Sequence, residues 1–310
     1  VSDWSSDVCS SDLTTAIFPI AGMGTRFLPA TKSIPKEILT LVDKPLIQYA
    51  MDECRAAGIR DMIFVTARGK SALEDYFDVN PGLETSLKRS GKTELLEILR
   101  HTNIDSGHVA YVRQNQALGL GHAVWCARRL VGRRPFAVIL PDDLVVSDKP
   151  CLAQMMEAHA EYGGSVIATM EVAPERASSY GVLDVVETIG RVMRPQGLVE
   201  KPAPGTAPSN HAIIGRYILA SGVMRHLNAR AVGAGGEIQL TDAIAKELRD
   251  KPGSVIGYRF EGMRYDCGSK AGMLQATVAL ALARPDLRAE FMDFLEGYLQ
   301  PAPAPGRATA

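Results

Sequence analysis

Cysteine is scarce in this chain, and no two cysteines are spaced as in a metal or redox motif. Five Cys are spread singly along 310 residues. This pattern excludes a CxxC thiolate cluster and argues against a disulfide framework. We therefore expect the protein to work in a reducing compartment, the cytoplasm.

Net charge and long apolar runs are also missing. Lys and Arg number 34 against 35 Asp and Glu, a formal net charge of −1. That excludes attachment to nucleic acid through bulk positive charge, although it leaves room for a local basic site. No stretch approaches the roughly 20 apolar residues that span a bilayer. Neither nucleic acid nor a membrane is therefore an expected partner.

The two ends of the chain differ in composition from the rest. Residues 1–13, VSDWSSDVCSSDL, combine Ser and Asp with no basic residue, and they lack the basic start and apolar run of a secretory signal. We expect a disordered leader that need not be native to the protein. Residues 300–310 are rich in Pro and Ala and predict a flexible tail.

Between the ends, strand-like and helix-like segments alternate. Short apolar runs predict strands at 14–20, 61–66, 108–114 and 135–141. Helical patterns lie at 45–57, 70–77, 92–100 and 122–131. This alternation predicts an α/β fold with a mostly parallel, Rossmann-like sheet and helices on both faces.

The second part of the chain has a different texture. Shorter β-like pieces follow residue 165, then a helix at 240–248 with Thr241 or Asp242 as its cap, and two closing helices over 269–299. We found no internal repeat and no linker. We therefore expect one domain over 14–299, with a first half of about 14–150 and a β-rich second half of about 151–299.

A glycine-containing basic loop follows the first predicted strand. In AGMGTRFLPATKSIPKE (21–37), the loop from Gly22 to Lys36 carries three cations and no acidic residue. Phe27 stands where a dinucleotide fingerprint needs its third Gly, and there is no GK[ST] ending. Bare backbone N–H groups and cations at the end of a buried strand favour a polyphosphate site. The alternative is a solvated basic loop with turn glycines.

The motifs as a set resemble one family. GTRFLPATKSIPKE followed by VDKPLIQYA is similar to the bacterial UTP–glucose-1-phosphate uridylyltransferases, in the nucleotidyltransferase family that makes nucleoside-diphosphate sugars. The resemblance continues through EDYFD, GLGHAV, FAVILPDDL, YGV, VEKP, APSNHAIIGRY, GAGGEIQLTDAI, RFEGMRYDCG and LQATVALAL. It covers about residues 14–299. Departures include Ile34, Thr40 and Ser269, and none of them is a residue that we assign to chemistry.

The resemblance implies an activity and its reactants. The phosphate of glucose 1-phosphate attacks the α-phosphorus of UTP, giving UDP-glucose and pyrophosphate with Mg²⁺ as cofactor. The family commonly forms homo-oligomers, so we expect a dimer or tetramer.

The resemblance also implies roles for residues of the first half. Arg26 and Lys36 correspond to the triphosphate-binding, catalytic cations. The nucleotide would further contact Ala21, Gly22, Glu37, Gln114 and Gly119. A surface ion pair is the other interpretation of Glu37, and a Gln-capped turn is the other interpretation of Gln114. Asp142 corresponds to a metal ligand, while its neighbour Asp143 is left open.

Further roles fall in the second half. Asp266 corresponds to the second metal ligand. Gly181, Glu200 and Lys201 correspond to the sugar-phosphate site, with Lys201 on the phosphate. The roles of Glu237 and Gln239 are not decided by the sequence.

Three other functions compete with this one. A glucose-1-phosphate thymidylyltransferase shares the Gly-Thr-Arg, Lys, Asp and Glu-Lys framework, but the features SNHAIIGRY and GAGGEIQLTDAI favour uridylyl transfer. A non-catalytic sugar-nucleotide-binding homologue is disfavoured because the charged residues are retained together. A nicotinamide dehydrogenase is disfavoured because the third fingerprint Gly is missing.

Overall fold

The computed structural model describes residues 13–299. The predicted tail, and the predicted leader up to residue 12, lie outside these residues. Leu13 falls within the predicted leader but is buried in the core. The packed part of the chain therefore includes at least this residue.

The elements follow one another in chain order. The strands are β1 (Thr15–Pro19), β2 (Thr40–Leu41), β3 (Lys44–Pro45), β4 (Asp61–Thr66), β5 (Val109–Arg113), β6 (Phe136–Ile139), β7 (Asp143–Val146), β8 (Ser165–Glu171), β9 (Gly181–Ile189), β10 (Val192–Glu200), β11 (His211–Leu219), β12 (Val255–Arg259) and β13 (Met263–Asp266). The α-helices are α1 (Leu46–Ala56), α2 (Ser71–Phe77), α3 (Pro81–Arg89), α4 (Thr93–Thr102), α5 (Leu120–Cys126), α6 (Arg128–Val131), α7 (Cys151–Tyr162), α8 (Gly222–Asn228), α9 (Leu240–Asp250), α10 (Lys270–Ala283) and α11 (Pro285–Leu299).

Nine strands form one sheet in the order β5-β4-β1-β6-β11-β8-β12-β10-β9. The first four are parallel, as predicted for strands joined by helical crossovers. In the second half only β8 and β12 pair in parallel, and the other neighbours are antiparallel. The α/β class is confirmed, and the Rossmann-like part is the first half. Because β11 pairs with β6, both halves belong to a single sheet.

Helices cover both faces of the sheet. In β1, Ala16 and Phe18 pack with α1, α2 and α7, whereas Ile17 points to the other face and packs with α5, α8 and α9. Successive strand residues alternate between faces, so the continuous apolar run of β1 serves two cores at once. The loops that leave the carboxyl ends of the parallel strands are thereby held on a rigid base.

Some predicted details were wrong. Helix α9 begins at Leu240 after Gln239, and the Thr241 hydroxyl donates to Glu200 instead of capping the helix. The predicted helix 122–131 is two short helices that meet at Ala127. Helices α3, α7 and α8 were not predicted.

Candidate active site

The basic loop after β1 consists of three short 3-10 turns, because Pro29 and Pro35 prevent a regular helix. Gly24 has a φ of 67°, and a Cβ there would lie 3.1 Å from the Cβ of Lys36. Only glycine fits this conformation and this close approach without strain. The turn leaves Ala21 partly accessible and Gly22 exposed, with nothing within 4 Å of a Cβ on Gly22.

Lys36 lies against a carboxylate from the end of the neighbouring strand. Its Nζ donates to Asp142 Oδ2 at 2.6 Å, across 106 positions of sequence. Burial raises the pKa of Asp142, but the Lys36 ammonium outweighs this effect and holds the pKa below its usual range. Burial lowers the pKa of Lys36, but Asp142 and Glu37 outweigh it, and the net pKa is raised. Both groups are therefore charged at neutral pH.

Asp142 and Asp266 face one small space beside Gly268. A Cβ on Gly268 would lie 3.1 Å from Asp142 Oδ2, 3.1 Å from Asp266 Oδ1 and 3.7 Å from Arg26 Nη1. The pairing of β13 with β7 and a bond from Cys267 N to the Asp142 carbonyl bring these segments together. The absence of a side chain at Gly268 keeps this space open.

The donors around this space fit Mg²⁺. Two carboxylates supply the hard oxygen ligands that Mg²⁺ prefers, and Mg²⁺ commonly takes its remaining ligands from water and substrate phosphates. No cluster of three or more His, Cys, Asp or Glu side chains is arranged around a metal position within residues 13–299. A metal held by these two carboxylates would take its remaining ligands from water or from substrate phosphates.

Asp143, whose role the sequence left open, is fully engaged by protein groups. Its Oδ2 accepts from Gly215 N at 2.6 Å, and its Oδ1 accepts from Arg264 Nε at 2.7 Å and also from Nη2. Burial raises the pKa of Asp143, and Arg264 opposes that shift. These contacts make Asp143 a structural carboxylate and leave Asp142 as the one that faces Arg26 and Asp266.

Glu37 lies inside the protein, only 1% exposed, where it meets a cation that the sequence did not bring to attention. Lys70, just before α2, is 8% exposed and donates to Glu37 Oε2 at 2.7 Å, while Glu37 Oε1 has no hydrogen-bond partner among residues 13–299. Burial raises the pKa of Glu37 and lowers that of Lys70. The ion pair fixes the Glu37 side chain in the protein interior, in the same turn as Lys36.

The predicted base-recognition loop connects β5 to α5. The Gln114 amide nitrogen donates to the Gly119 carbonyl at 3.1 Å and lies 3.0 Å from His122 Nδ1. Gly119 has a φ of 97°, and a Cβ there would be 2.7 Å from the Cβ of Glu237. The amide nitrogen of Gln114 therefore shapes the loop. A glycine is needed at position 119 because any side chain there would collide with the segment that carries Glu237.

Two of the three residues predicted for the sugar, Gly181 and Glu200, line a small cavity whose wall is built from residues of both halves. Gly181, Glu200 and Thr241 are part of the wall of this cavity, which has a volume of about 180 Å³. Thr241 donates to Glu200 Oε2 at 2.7 Å, and a Cβ on Gly181 would lie 3.0 Å from the same oxygen. Gln239 also lines the cavity, so this residue, left undecided above, lies beside the predicted sugar site.

Lys201 lies at the end of β10, directly after Glu200. Its side chain is 58% exposed and its Nζ is 3.8 Å from Glu200 Oε1. Its φ is 45°, a strained value for a residue other than glycine, and its N–H donates to the Tyr180 carbonyl at 3.0 Å. The ammonium is therefore exposed and lies next to Glu200, which lines the cavity, so it can reach an anion bound beside that carboxylate.

Cys267 as a nucleophile and His122 as a general base are the two side chains near the site that could be considered for covalent or acid–base catalysis, and both are poorly suited to these roles. Burial raises the pKa of Cys267 to about 12, with Asp142 adding to the shift, so the thiol is protonated at neutral pH. Burial lowers the pKa of His122, helped by Arg230 and Arg128. A reaction at this site depends on charge and positioning.

Fold and site together define a class of protein. A glycine-containing loop with Arg26 and Lys36 lies after the first strand of a parallel sheet, and two carboxylates face it from neighbouring segments. Ligands of such sheets bind at the carboxyl ends of the strands. This arrangement is that of an α/β enzyme acting on phosphorylated, nucleotide-type substrates.

Comparison with known proteins gives the family. The model of the Nucleotidyl transferase family matches residues 16–281. A UTP–glucose-1-phosphate uridylyltransferase of Bacillus subtilis (strain 168) is 48% identical over 287 residues, covering 92% of this chain and 96% of the relative. The chain therefore belongs to the nucleotidyltransferase family, and the protein is an enzyme of that class.

Solved structures agree with this assignment. A UTP-bound UGPase from Acinetobacter baumannii is 42% identical with a TM-score of 0.84, covering 92% of this chain and 99% of that one. A UDP-glucose pyrophosphorylase complexed with UDP-glucose is also 42% identical, with a TM-score of 0.79, covering 88% of this chain and 100% of that one. Among the described residues, no helix has the length and apolar character needed to cross a membrane.

Proposed function

We propose that the protein is a UTP:α-D-glucose-1-phosphate uridylyltransferase. The observation that carries this proposal is the convergence of Arg26, Asp142 and Asp266 on the space beside Gly268, next to Lys36. The names of the relative and of the two solved structures support the choice of UTP and glucose 1-phosphate. The second half, with Gly181, would hold the sugar.

The reaction needs no activated nucleophile from the protein. A phosphate monoester has a second pKa near 6, so glucose 1-phosphate is largely a dianion at neutral pH. One of its oxygens attacks the α-phosphorus of UTP, the bond from that phosphorus to the bridging oxygen of the β-phosphate breaks, and pyrophosphate leaves. The protein must bring two polyanions together and neutralise the charge that develops on the leaving group.

Each side chain has a task in this proposal. Arg26 holds phosphate oxygens with its planar fork, and Lys36 exchanges Asp142 for the triphosphate. The carbonyl oxygen of Gln114 is the atom available to accept the N–H of uracil, while Ala21 and Gly22 offer backbone groups. Asp142 and Asp266 would hold Mg²⁺, which would neutralise negative charge on the phosphates.

A pyrophosphate-release assay tests the proposal. Purified protein with Mg²⁺ and glucose 1-phosphate should release pyrophosphate from UTP, and chelation of the metal should stop the release. A clear preference for dTTP would instead assign the protein to the thymidylyltransferases. Binding of UDP-glucose without any release of pyrophosphate would make it a sugar-nucleotide-binding regulator.

Lys201→Ala should weaken the use of glucose 1-phosphate selectively. The sugar phosphate loses one cation, whereas the groups around UTP are untouched, so KM for glucose 1-phosphate should rise about 10-fold. Alanine keeps the Cβ, so the strained φ at this position is unchanged. Steady-state kinetics with each substrate varied in turn make the comparison. An equal rise in both KM values would contradict the role of Lys201.

The proposal also covers the cellular compartment and the oligomeric state of the enzyme. Four free cysteines, three of them buried, are present in the described part of the chain, which supports work in the cytoplasm. We also propose a homo-oligomer. Light scattering of the purified protein distinguishes a monomer from a dimer or tetramer.

A further inference from the structure

Arg264 joins the strand of the second candidate metal carboxylate to the wall of the predicted sugar cavity. It lies on β13 two residues before Asp266, and its side chain is 8% exposed. Residues two apart on a strand point to the same face, and Arg264 Nη2 is indeed 4.0 Å from Asp266 Oδ1. The guanidinium therefore lies beside the reacting space without facing it directly.

One side of the guanidinium is fixed by Asp143. Nε donates to Asp143 Oδ1 at 2.7 Å and Nη2 donates to the same oxygen, while Oδ2 of that carboxylate is held by the Gly215 N–H. Gly215 lies on β11, in the centre of the sheet. Asp143 thus anchors Arg264 to the central strand of the sheet.

The other side of the guanidinium reaches Tyr180. Nη1 donates to the Tyr180 hydroxyl at 3.1 Å. The carbonyl of Tyr180 accepts the N–H of Lys201, and Tyr180 directly precedes Gly181. Tyr180 therefore links Arg264 to Gly181 and Lys201, two residues predicted to bind the sugar phosphate.

We propose that Arg264 is a positioning residue that sets where the sugar phosphate lies relative to the carboxylates Asp142 and Asp266. This inference rests on the proposed function and adds to it a residue that no motif indicated. Arg264 acts through Tyr180, whose backbone orients Lys201. Loss of the contact moves the attacking phosphate and leaves the triphosphate contacts of Arg26 and Lys36 in place.

Tyr180→Phe and Arg264→Lys test the proposal. Tyr180→Phe removes only the hydroxyl, and Arg264→Lys keeps a cation for Asp143 while losing the fork that reaches Tyr180. Each should raise KM for glucose 1-phosphate about 10-fold, with KM for UTP unchanged within about 2-fold. The double variant should be no worse than Arg264→Lys alone, because both changes break the same connection.

Two control variants separate positioning from stability. Glu247→Gln disturbs another buried carboxylate, which contacts His226 at 2.8 Å, and should lower the unfolding midpoint without changing the ratio of the two KM values. Arg176→Gln removes the other donor to the Tyr180 hydroxyl, an exposed side chain at 3.2 Å, and should leave both KM values unchanged.

The outcomes distinguish the two proposals. If wild-type protein releases no pyrophosphate, the proposed function fails, and calorimetric binding of UDP-glucose relative to UTP still compares the variants. If wild-type protein turns over but Arg264→Lys and Tyr180→Phe change both KM values equally, or neither, Arg264 is not a positioning residue. A selective rise for glucose 1-phosphate, or selectively weaker UDP-glucose binding, supports it.

Discussion

Gly268→Ala should lower kcat/KM by about 100-fold while the protein stays folded. The added methyl carbon would lie 3.1 Å from both Asp142 Oδ2 and Asp266 Oδ1, in the space proposed for metal and phosphate. Asp142 is held by Lys36, and Asp266 Oδ1 accepts the Gly268 N–H at 3.1 Å. Each carboxylate would have to shift by a few tenths of an ångström. The methyl group would also take up space proposed for the phosphate, and displacement of the phosphate by about 1 Å is enough for a loss of this size.

The folded state should tolerate this change because the φ of Gly268 is not in the left-handed region. Gly297→Ala is the matched control: a Cβ there meets nothing within 4 Å, and the residue is exposed on α11. That variant should keep full activity and gain up to about 1 kcal/mol from helix propensity. Pyrophosphate release and thermal unfolding measure both variants. Full activity of folded Gly268→Ala would show that the reaction does not take place in the space beside Gly268.

The sequence predicted the first half of the fold better than the second. Strands β1, β4, β5 and β6 are short apolar runs between helical patterns, so local sequence is enough to identify them. Helix α3 has no buried residue, and its nine residues offer only Leu83 and Leu87 on one face, which is too short an apolar pattern to identify a helix. The antiparallel arrangement of β11 between β6 and β8 depends on contacts between distant segments, which no local pattern contains.

The site shows the same division between local motif and long-range contact. The resemblance indicated Arg26, Lys36, Asp142 and Asp266, and the structure brings these four together. It left the role of Asp143 open, because adjacent acids in PDDL look alike until Arg264 and Gly215 are seen to engage the second. The two-residue spacing of Arg264 and Asp266 on one strand was the only signal available for Arg264.

Lys70 carried no such signal, because its partner Glu37 lies 33 positions away. In the fold, the ion pair of Lys70 and Glu37 nevertheless holds in place the turn that carries Lys36. Glu37 lies in the 3-10 turn Lys36–Ile38 and is only 1% exposed. A charge this deeply buried requires a compensating charge, which Lys70 provides.

Lys70→Met should therefore lower the free energy of unfolding by about 3–5 kcal/mol, because it leaves the Glu37 carboxylate buried and uncompensated. The double variant Lys70→Met/Glu37→Gln should recover most of that loss, since no charge is left buried. The pair of Lys44 and Asp52, also at 2.6 Å but only partly buried, is the control, and Lys44→Met should cost about 1 kcal/mol.

Urea unfolding of these variants measures the loss in the free energy of unfolding, and pyrophosphate release shows whether the change also lowers activity. In Lys70→Met the remaining cation close to Glu37 is Lys36, which would be drawn away from Asp142, so activity should fall together with stability. In the double variant Lys36 has no such competing carboxylate, and activity should return with stability. Equal losses for Lys70→Met and Lys44→Met would show that burial of the Glu37 pair contributes nothing to holding the turn.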